Sequence, residues 1–259
     1  MPQHARRRIV PALGAAARAL NVGRYSLSVA QNESEVRSAL RLRFRVFNLE
    51  LGEGLESAHT SGEDRDEFDA MMRHLIVRDT HNGEVVGTYR VQTGTAAAQN
   101  LGYYSAREFD FSVYESRRET ILELGRACID AAHRNLSVLS LLWRGVASYA
   151  LAHRCHLLVG CSSLTSQDPA EGVAAYAVLR DHEASVDLRT TPMANFGLPP
   201  STPSQHAVTI PKLLRAYVSI GAKIAGPPAI DREFGTIDFL TILDLHQLPA
   251  MVRSRFLSY

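Results

Sequence analysis

Apolar residues recur along this chain with two periods, and the switches between them mark its elements. YSLSVA (25–30) alternates as an opening strand does. Asn32 followed by Glu35 forms a variant capping box, after which Val36, Leu40, Phe44 and Phe47 return at helical spacing. Residues 52–72 lose the period and become polar, acidic and Gly-containing, which predicts a loop. RHLIVRD (73–79) and EVVGTYRV (84–91) flank His81-Asn82-Gly83, a hairpin signal centred on Asn-Gly.

The second half continues the alternation of element types. YYSAREFDFSVY (103–114) reads as partly helical, and ILELGRACI (121–129) reads as a strand. Residues 135–152 place Leu139, Trp143, Val146 and Ala150 on one helical stripe, and CHLLVGCSSL (155–164) is a second buried strand. Asp168-Pro169 opens a further helix by cap and first-turn proline, running to about Arg180. TTPMANFGLPPSTPSQ (190–205) is a long Pro-containing loop. LLRAYVSIGAKI, the turn AGPPAID, the strand-like TIDFLTILDL and a short end helix follow. Strands mixed with helices, one pair in a hairpin, predict a mixed α/β fold with a mixed sheet covered by helices. No linker interrupts residues 25–259, so they are assigned to a single domain.

Composition changes the picture mainly at the N-terminus. Lys and Arg number 28 against 27 Asp and Glu, so no overall basic field argues for nucleic acid. No run of about 18 apolar residues predicts a transmembrane helix. Residues 1–24 carry five arginines and no acid, because the first acidic residue is Glu33. This basic leader is open to three readings: a floppy tail, a short amphipathic helix on an anionic membrane face, or a transit peptide. The expected location is the cytoplasm, with peripheral contact at the inner membrane face if the leader binds lipid.

Most motif-level chemistry fails on spacing. His-x4-Asp occurs three times, at His59/Asp64, His74/Asp79 and His182/Asp187, so the pattern by itself carries little information. On a strand, residues five apart such as His74 and Asp79 face opposite sides. Cys161 lies on an apolar strand with no helix N-terminus to lower its pKa, so Cys128, Cys155 and Cys161 read as buried free thiols. His153 and His156 lack a carboxylate in their own segment, and no metal site is expected. No GxGxxG or Walker loop is present, which removes the usual signals for a dinucleotide or nucleotide phosphate.

What remains is a set of charges embedded in apolar elements. Arg43 and Phe47 are one turn apart on a helix and share a face. Asp66 and Asp69 bracket Phe68, Arg90 closes VVGTYR, and Glu123 and Arg126 interrupt ILELGRACI. Each alone is consistent with a structural ion pair. Together they predict a polar pocket in which Arg43, Arg90 and Arg126 neutralise the acids. Glu123 and Arg126, three apart on a strand, are expected on opposite faces unless a bulge intervenes.

The ordered series RFRVF, RDEFD, HLIVRD, VVGTYRV, REFDF, LELGRACI, LLWRG, GCSSL and GAKIAGPPAID resembles the bacterial ornithine-lipid N-acyltransferases. These are also described as hemolysin-like and belong to the GNAT-like acyltransferases. The resemblance covers about residues 25–245. More distantly the chain is similar to the N-acyl amino acid synthases and to the acyl-homoserine-lactone synthases, with the latter of which it shares the Arg43, Phe47, Asp66, Asp69, Arg90, Glu123 and Arg126 pattern.

The resemblance implies a central mixed sheet with helices on both faces. Two neighbouring parallel strands would splay to admit a thioester arm, and LELGRACI and CHLLVGCSSL are the candidates. It implies no resident cofactor; the donor is an acyl group on 4′-phosphopantetheine. Where acetyl-CoA enzymes of this fold carry a Gly-rich RxxGxG loop, this chain reads HRNLSVLS, which favours acyl carrier protein over CoA as the donor. Arg117, Arg118, Arg134 and Arg144 are the candidate docking charges. The acceptor is expected to be an amino acid, ornithine first, giving a lyso-ornithine-lipid-type product. Glycine or tyrosine acceptors and homoserine-lactone synthesis are the alternatives. Glu123 is the candidate base and Tyr176 the candidate acid. Asp66 and Asp69 are expected to hold the cationic acceptor, with Arg90 or Arg126 on its carboxylate. The hemolysin-like label raises a membrane-lytic alternative, for which the sequence has neither a long apolar segment nor a barrel pattern.

Overall fold

The computed structural model describes residues 20–204 and 207–257, with side chains to residue 253. Nine strands form one sheet: β1 (Leu20–Val22), β2 (Tyr25–Val29), β3 (Arg73–Asp79), β4 (Val85–Thr93), β5 (Ile121–Ile129), β6 (Leu157–Leu164), β7 (Lys223–Ile224), β8 (Ala229–Asp231) and β9 (Thr236–Asp244). Their order is β1-β2-β3-β4-β5-β6-β9-β7, with β8 also on β9. All pairs are antiparallel except β5 with β6. The predicted hairpin joins β3 to β4, with Gly83 at a φ of 78°, a conformation open to glycine at no steric cost.

The helices are α1 (Glu33–Phe44), α2 (Ala58–Ser61), α3 (Gly94–Gln99), α4 (Leu136–Ala152), α5 (Pro169–Leu179), α6 (Lys212–Ser219) and α7 (Ala250–Leu257). The local signals explain where they start. Asn32 accepts from the Glu35 N–H at 3.0 Å while Glu35 accepts from the Gln31 N–H at 2.7 Å, so two orphan donors are satisfied reciprocally. Asp168 caps α5 through the Ala170 N–H at 2.9 Å. α4 lays Val138, Leu141, Leu142 and Val146 on one sheet face against Leu27, Val77, Leu122 and Leu124. α5 and α6 cover Ile237 and Phe239 of β9. α1, continued by a π-helical turn at Arg45–Leu51, covers the opposite face together with the 103–114 segment.

The sheet extends beyond the expected boundary. Leu20–Val22 pairs with β2 and Arg24 forms an ion pair with Asp79, so the last residues of the segment assigned to the leader belong to the fold. The helix, tail and transit readings of residues 1–19 lie outside the described residues. Strands as short as β1 and β8 carry too few alternations for a pattern to register.

Two irregularities in β5 set up the site. The parallel pairing with β6 covers only Ile121–Glu123 against Leu157–Val159, although both strands continue well past it. From there the two strands part, as the resemblance implied. On its other edge the register with β4 slips between Thr88 and Arg90, so Arg126 and Ala127 together stand opposite Tyr89. Arg126 takes a φ of 48°, rare for a non-glycine residue.

Candidate active site

The embedded charges do converge. Arg43 is fully buried and donates through Nε to Asp64 at 2.7 Å and through Nη1 to Asp69 at 2.6 Å. Arg90 Nη1 reaches Asp66 at 2.5 Å and Asp69 at 2.9 Å. Arg126 Nη2 donates to Asp66 at 3.2 Å, and its guanidinium lies 4.1 Å from the Phe234 ring centroid and 4.9 Å from that of Tyr104. Three arginines thus meet three aspartates. Burial alone would raise the Asp66 and Asp69 carboxyls, but Arg90 with Arg126, and Arg43 with Arg90, hold them below the usual carboxylate range.

This geometry corrects one expectation. Asp66 and Asp69 are occupied by arginines and by a reciprocal cap across Glu67–Ala70, so neither stands open to a cationic acceptor. Arg90 and Arg126 pair with the same aspartates, while Arg90 Nε and Nη2 and Arg126 Nε are buried with no hydrogen-bond partner among the described residues. Asp64, set aside in the sequence as half of a chance His-x4-Asp match, proves to be a full member of the network. Phe47 supports it from below, its ring 5.4 Å from that of Phe234.

Glu123 and Arg126 lie on the same side of the sheet, not on opposite sides. The bulge at Arg126 supplies the extra residue that reverses the alternation. The Glu123 carboxylate accepts from Gln92 Nε2 at 2.6 Å, from the Tyr104 N–H at 3.0 Å and from the Ser105 N–H at 2.7 Å. Buried under three donors, it pins the loop that carries Tyr104 beneath Arg126. A carboxylate so committed is placed to position that loop rather than to take a proton from substrate.

A second group of acids lies along the parting of β5 and β6. Glu108, Cys161 and Asp238 bring an oxygen or sulfur each within 4.8 Å of one another, and Cys161 is two residues beyond the last β6 residue paired with β5. Burial first, then the charges of Asp238 and Asp231, push the Glu108 carboxyl well up; burial also raises Asp238. Glu53, buried nearby under the Thr165 hydroxyl at 2.7 Å, is raised by burial as well. Sequence reading passed over these residues. The signal was available, since Asp238 interrupts the apolar run TIDFLTILDL much as Glu123 interrupts its own strand.

The remaining expected residues are dispersed. The Tyr176 hydroxyl donates to Glu183, which pairs with Arg189 at 3.0 Å, so it serves a separate cluster; burial and Glu183 raise it to about 12. Among the docking candidates Arg117 pairs with Asp187 at 2.5 Å, Arg118 with Glu115, and Arg134 with Glu50 at 2.7 Å through Nη2. Arg144 is partly buried on α4. Arg117, Arg118 and Arg134 form scattered local pairs rather than one open basic face.

The discarded motifs stay separate. His74 Nε2 lies 3.1 Å from the Asp69 carbonyl, while Asp79 binds Arg24. Burial and the neighbouring Glu108 push the Cys161 thiol well above its ordinary value, which suits an inert side chain. His153 stacks on Tyr149. The tertiary structure does bring a carboxylate to His156: Asp244 lies 3.1 Å from its Nδ1, and His246 stacks on it at 4.2 Å. Among the described residues no helix is long and apolar enough to cross a membrane.

A mostly antiparallel sheet whose single parallel pair parts beside a polar pocket defines an acyltransferase of the GNAT class. Residues 42–144 match the acetyltransferase (GNAT) domain family model. A protein of Brucella abortus named L-ornithine N(alpha)-acyltransferase is 31% identical over 254 residues, spanning 92% of this chain and 89% of its own length. A Rhizobium meliloti protein of the same name is 30% identical, over 89% of this chain and 82% of its own. The chain belongs to the L-ornithine N(alpha)-acyltransferase family. The fold is shared with an N-acyl amino acid synthase from uncultured soil microbes, at a TM-score of 0.51 and 12% identity, over 86% of this chain and 92% of that one.

Proposed function

We propose that this acyltransferase moves a long-chain (3-hydroxy)acyl group from an acyl carrier protein thioester to the α-amine of L-ornithine, giving a lyso-ornithine-lipid-type product. The observation that carries the reading is the parting of β5 from β6 directly beside buried carboxylates. An acyl thioester fits the opening between the strands, and a cationic amine fits the acids. Backbone N–H groups on strand edges left without a partner are suited to a developing oxyanion. The name carried by the Brucella and Rhizobium relatives supports ornithine as acceptor.

The choice of donor rests on the N-terminus of α4. Asn135 Oδ1 accepts from the Ser137 and Val138 N–H groups at 3.0 and 3.1 Å, so two donors that could hold a CoA pyrophosphate are already satisfied. A carrier protein, which presents phosphopantetheine from its own surface, does not need them. Peripheral contact with the inner membrane face by the basic N-terminus is part of the same reading, because the product is a lipid.

The test is incubation of the purified protein with 3-hydroxyacyl carrier protein and a panel of amino acids, with products identified by mass spectrometry. N-acylornithine is expected, with turnover lower for the matching acyl-CoA. A preference for glycine, tyrosine or S-adenosylmethionine would displace the ornithine assignment. Absence of any N-acyl product would displace the reaction.

A further inference from the structure

The arginines that neutralise Asp64, Asp66 and Asp69 leave Glu108 and Asp238 without a cation of their own. Both are more than nine-tenths buried. Glu108 Oε2 and Asp238 Oδ1 receive no hydrogen bond from any other described group, and the two carboxyls are close enough to share a proton. Burying carboxyl groups unpaired is costly, and a fold retains them where something else completes the site.

Glu108 lines a cavity of about 350 Å³ together with Tyr104, Phe196 and Asp231, with Arg107 and Arg232 among its other walls; Asp238 stands behind Glu108. That volume is within the range of small-ligand sites. Its charge is distributed by depth. Glu108 and Asp231 are buried, whereas Arg107 and Arg232 are exposed. Arg107 is exposed, 3.3 Å from the exposed Glu233 and 5.8 Å from the Tyr104 ring centroid, and Arg232 has no ion pair among the described residues. Both guanidinium groups can therefore swing to a ligand. An ammonium group inward and a carboxylate outward is the polarity of an amino acid.

We infer that this cavity is the acceptor site, with Glu108, backed by Asp238, receiving the amine and Arg107 with Arg232 holding the carboxylate. The inference rests on the acyltransfer reading and places its acceptor. The chemistry balances as follows. One proton of the α-ammonium passes to the carboxylate pair, and the freed nitrogen lone pair forms the C–N bond to the thioester carbonyl. As the C–S bond breaks, a second proton leaves the nitrogen and ends on the thiol, and the third remains on the amide. The position of Cys161 just past the parting of the strands puts this pair beside the thioester's path.

The experiment compares wild type, E108Q and the exposed double variant R107A/R232A. L-ornithine binding is measured by calorimetry without donor, and turnover with L-ornithine or putrescine, which lacks the carboxylate. R107A/R232A is expected to weaken ornithine binding and raise its KM by about tenfold or more, with a smaller change in KM for putrescine than for ornithine. E108Q is expected to lower kcat for both acceptors, with circular dichroism confirming the fold. Wild-type ornithine affinity and KM in R107A/R232A would overturn the site, and so would wild-type kcat in E108Q. A wild-type protein that binds ornithine but forms no N-acyl product with any thioester would instead overturn the reaction and leave the binding site standing.

Discussion

The Glu123 carboxylate holds the Ser105 backbone N–H at 2.7 Å across 18 residues of sequence. With Tyr104 N–H and Gln92 as its other donors, it ties the end of the parallel strand pairing to the loop that carries Tyr104 and Glu108. Glu123→Ala leaves the Tyr104 and Ser105 N–H groups without an acceptor and Gln92 with only the Gly102 carbonyl. It should destabilise the protein by about 2–4 kcal/mol in urea unfolding, with hydrogen exchange accelerating first at Tyr104 and Ser105. Glu123→Gln retains part of the acceptor capacity and should keep more stability. Unaltered exchange at those two amides in Glu123→Ala would show that the loop is held by other contacts.

Arg43 is the cation of two buried aspartates at once. Arg43→Met should cost about 3–5 kcal/mol at neutral pH, because Asp64 and Asp69 remain in place without it. Arg43→Lys should recover little, since an ammonium cannot span both carboxylates as a planar fork does. Denaturant midpoints for the two variants check this.

The acids of the two groups respond to pH with opposite signs. Asp66 and Asp69 have depressed carboxyls in the folded state, so their contribution is present above the unfolded carboxylate value. It is lost as pH falls below about 4 toward the folded values. Glu108 is raised, so its contribution is present at low pH and is lost as pH rises from the unfolded value through the folded one. Glu108→Gln should therefore gain stability over wild type as pH rises from about 4 to 7, with an unchanged loss on the acid side. Thermal melts across that range read both effects.

Gly160 marks the apex of the parting strands. A Cβ there would stand 2.1 Å from the Leu124 carbonyl oxygen, whereas one at Gly125 meets nothing within 4 Å. Gly160→Ala should push β6 from β5, cost about 1–3 kcal/mol and abolish turnover. Gly125→Ala should stay within about 1 kcal/mol of wild type. Equal activity in the two variants would separate the strand spacing from acyl transfer.

Local signals were strong enough for the sequence alone to settle several elements. The Asn32/Glu35 box, the Asn-Gly hairpin and the Asp168-Pro169 helix start each satisfy backbone groups within a few residues, so no distant contact is needed to specify them. Charges in apolar strands likewise announced a polar interior, and Arg43, Asp66, Asp69, Arg90 and Arg126 do meet there. Partner choice was beyond the sequence, because it is decided by register. A single bulged residue turned Arg126 to the side of Glu123, and three arginines were spent on Asp64, Asp66 and Asp69. Only the packing of the 103–114 segment, β6 and β9 could bring Glu108 and Asp238 together, from positions 130 residues apart in the chain. Sequence spacing reports which residues share a face; which charges remain unpaid in the folded core depends on long-range contacts that no local period encodes.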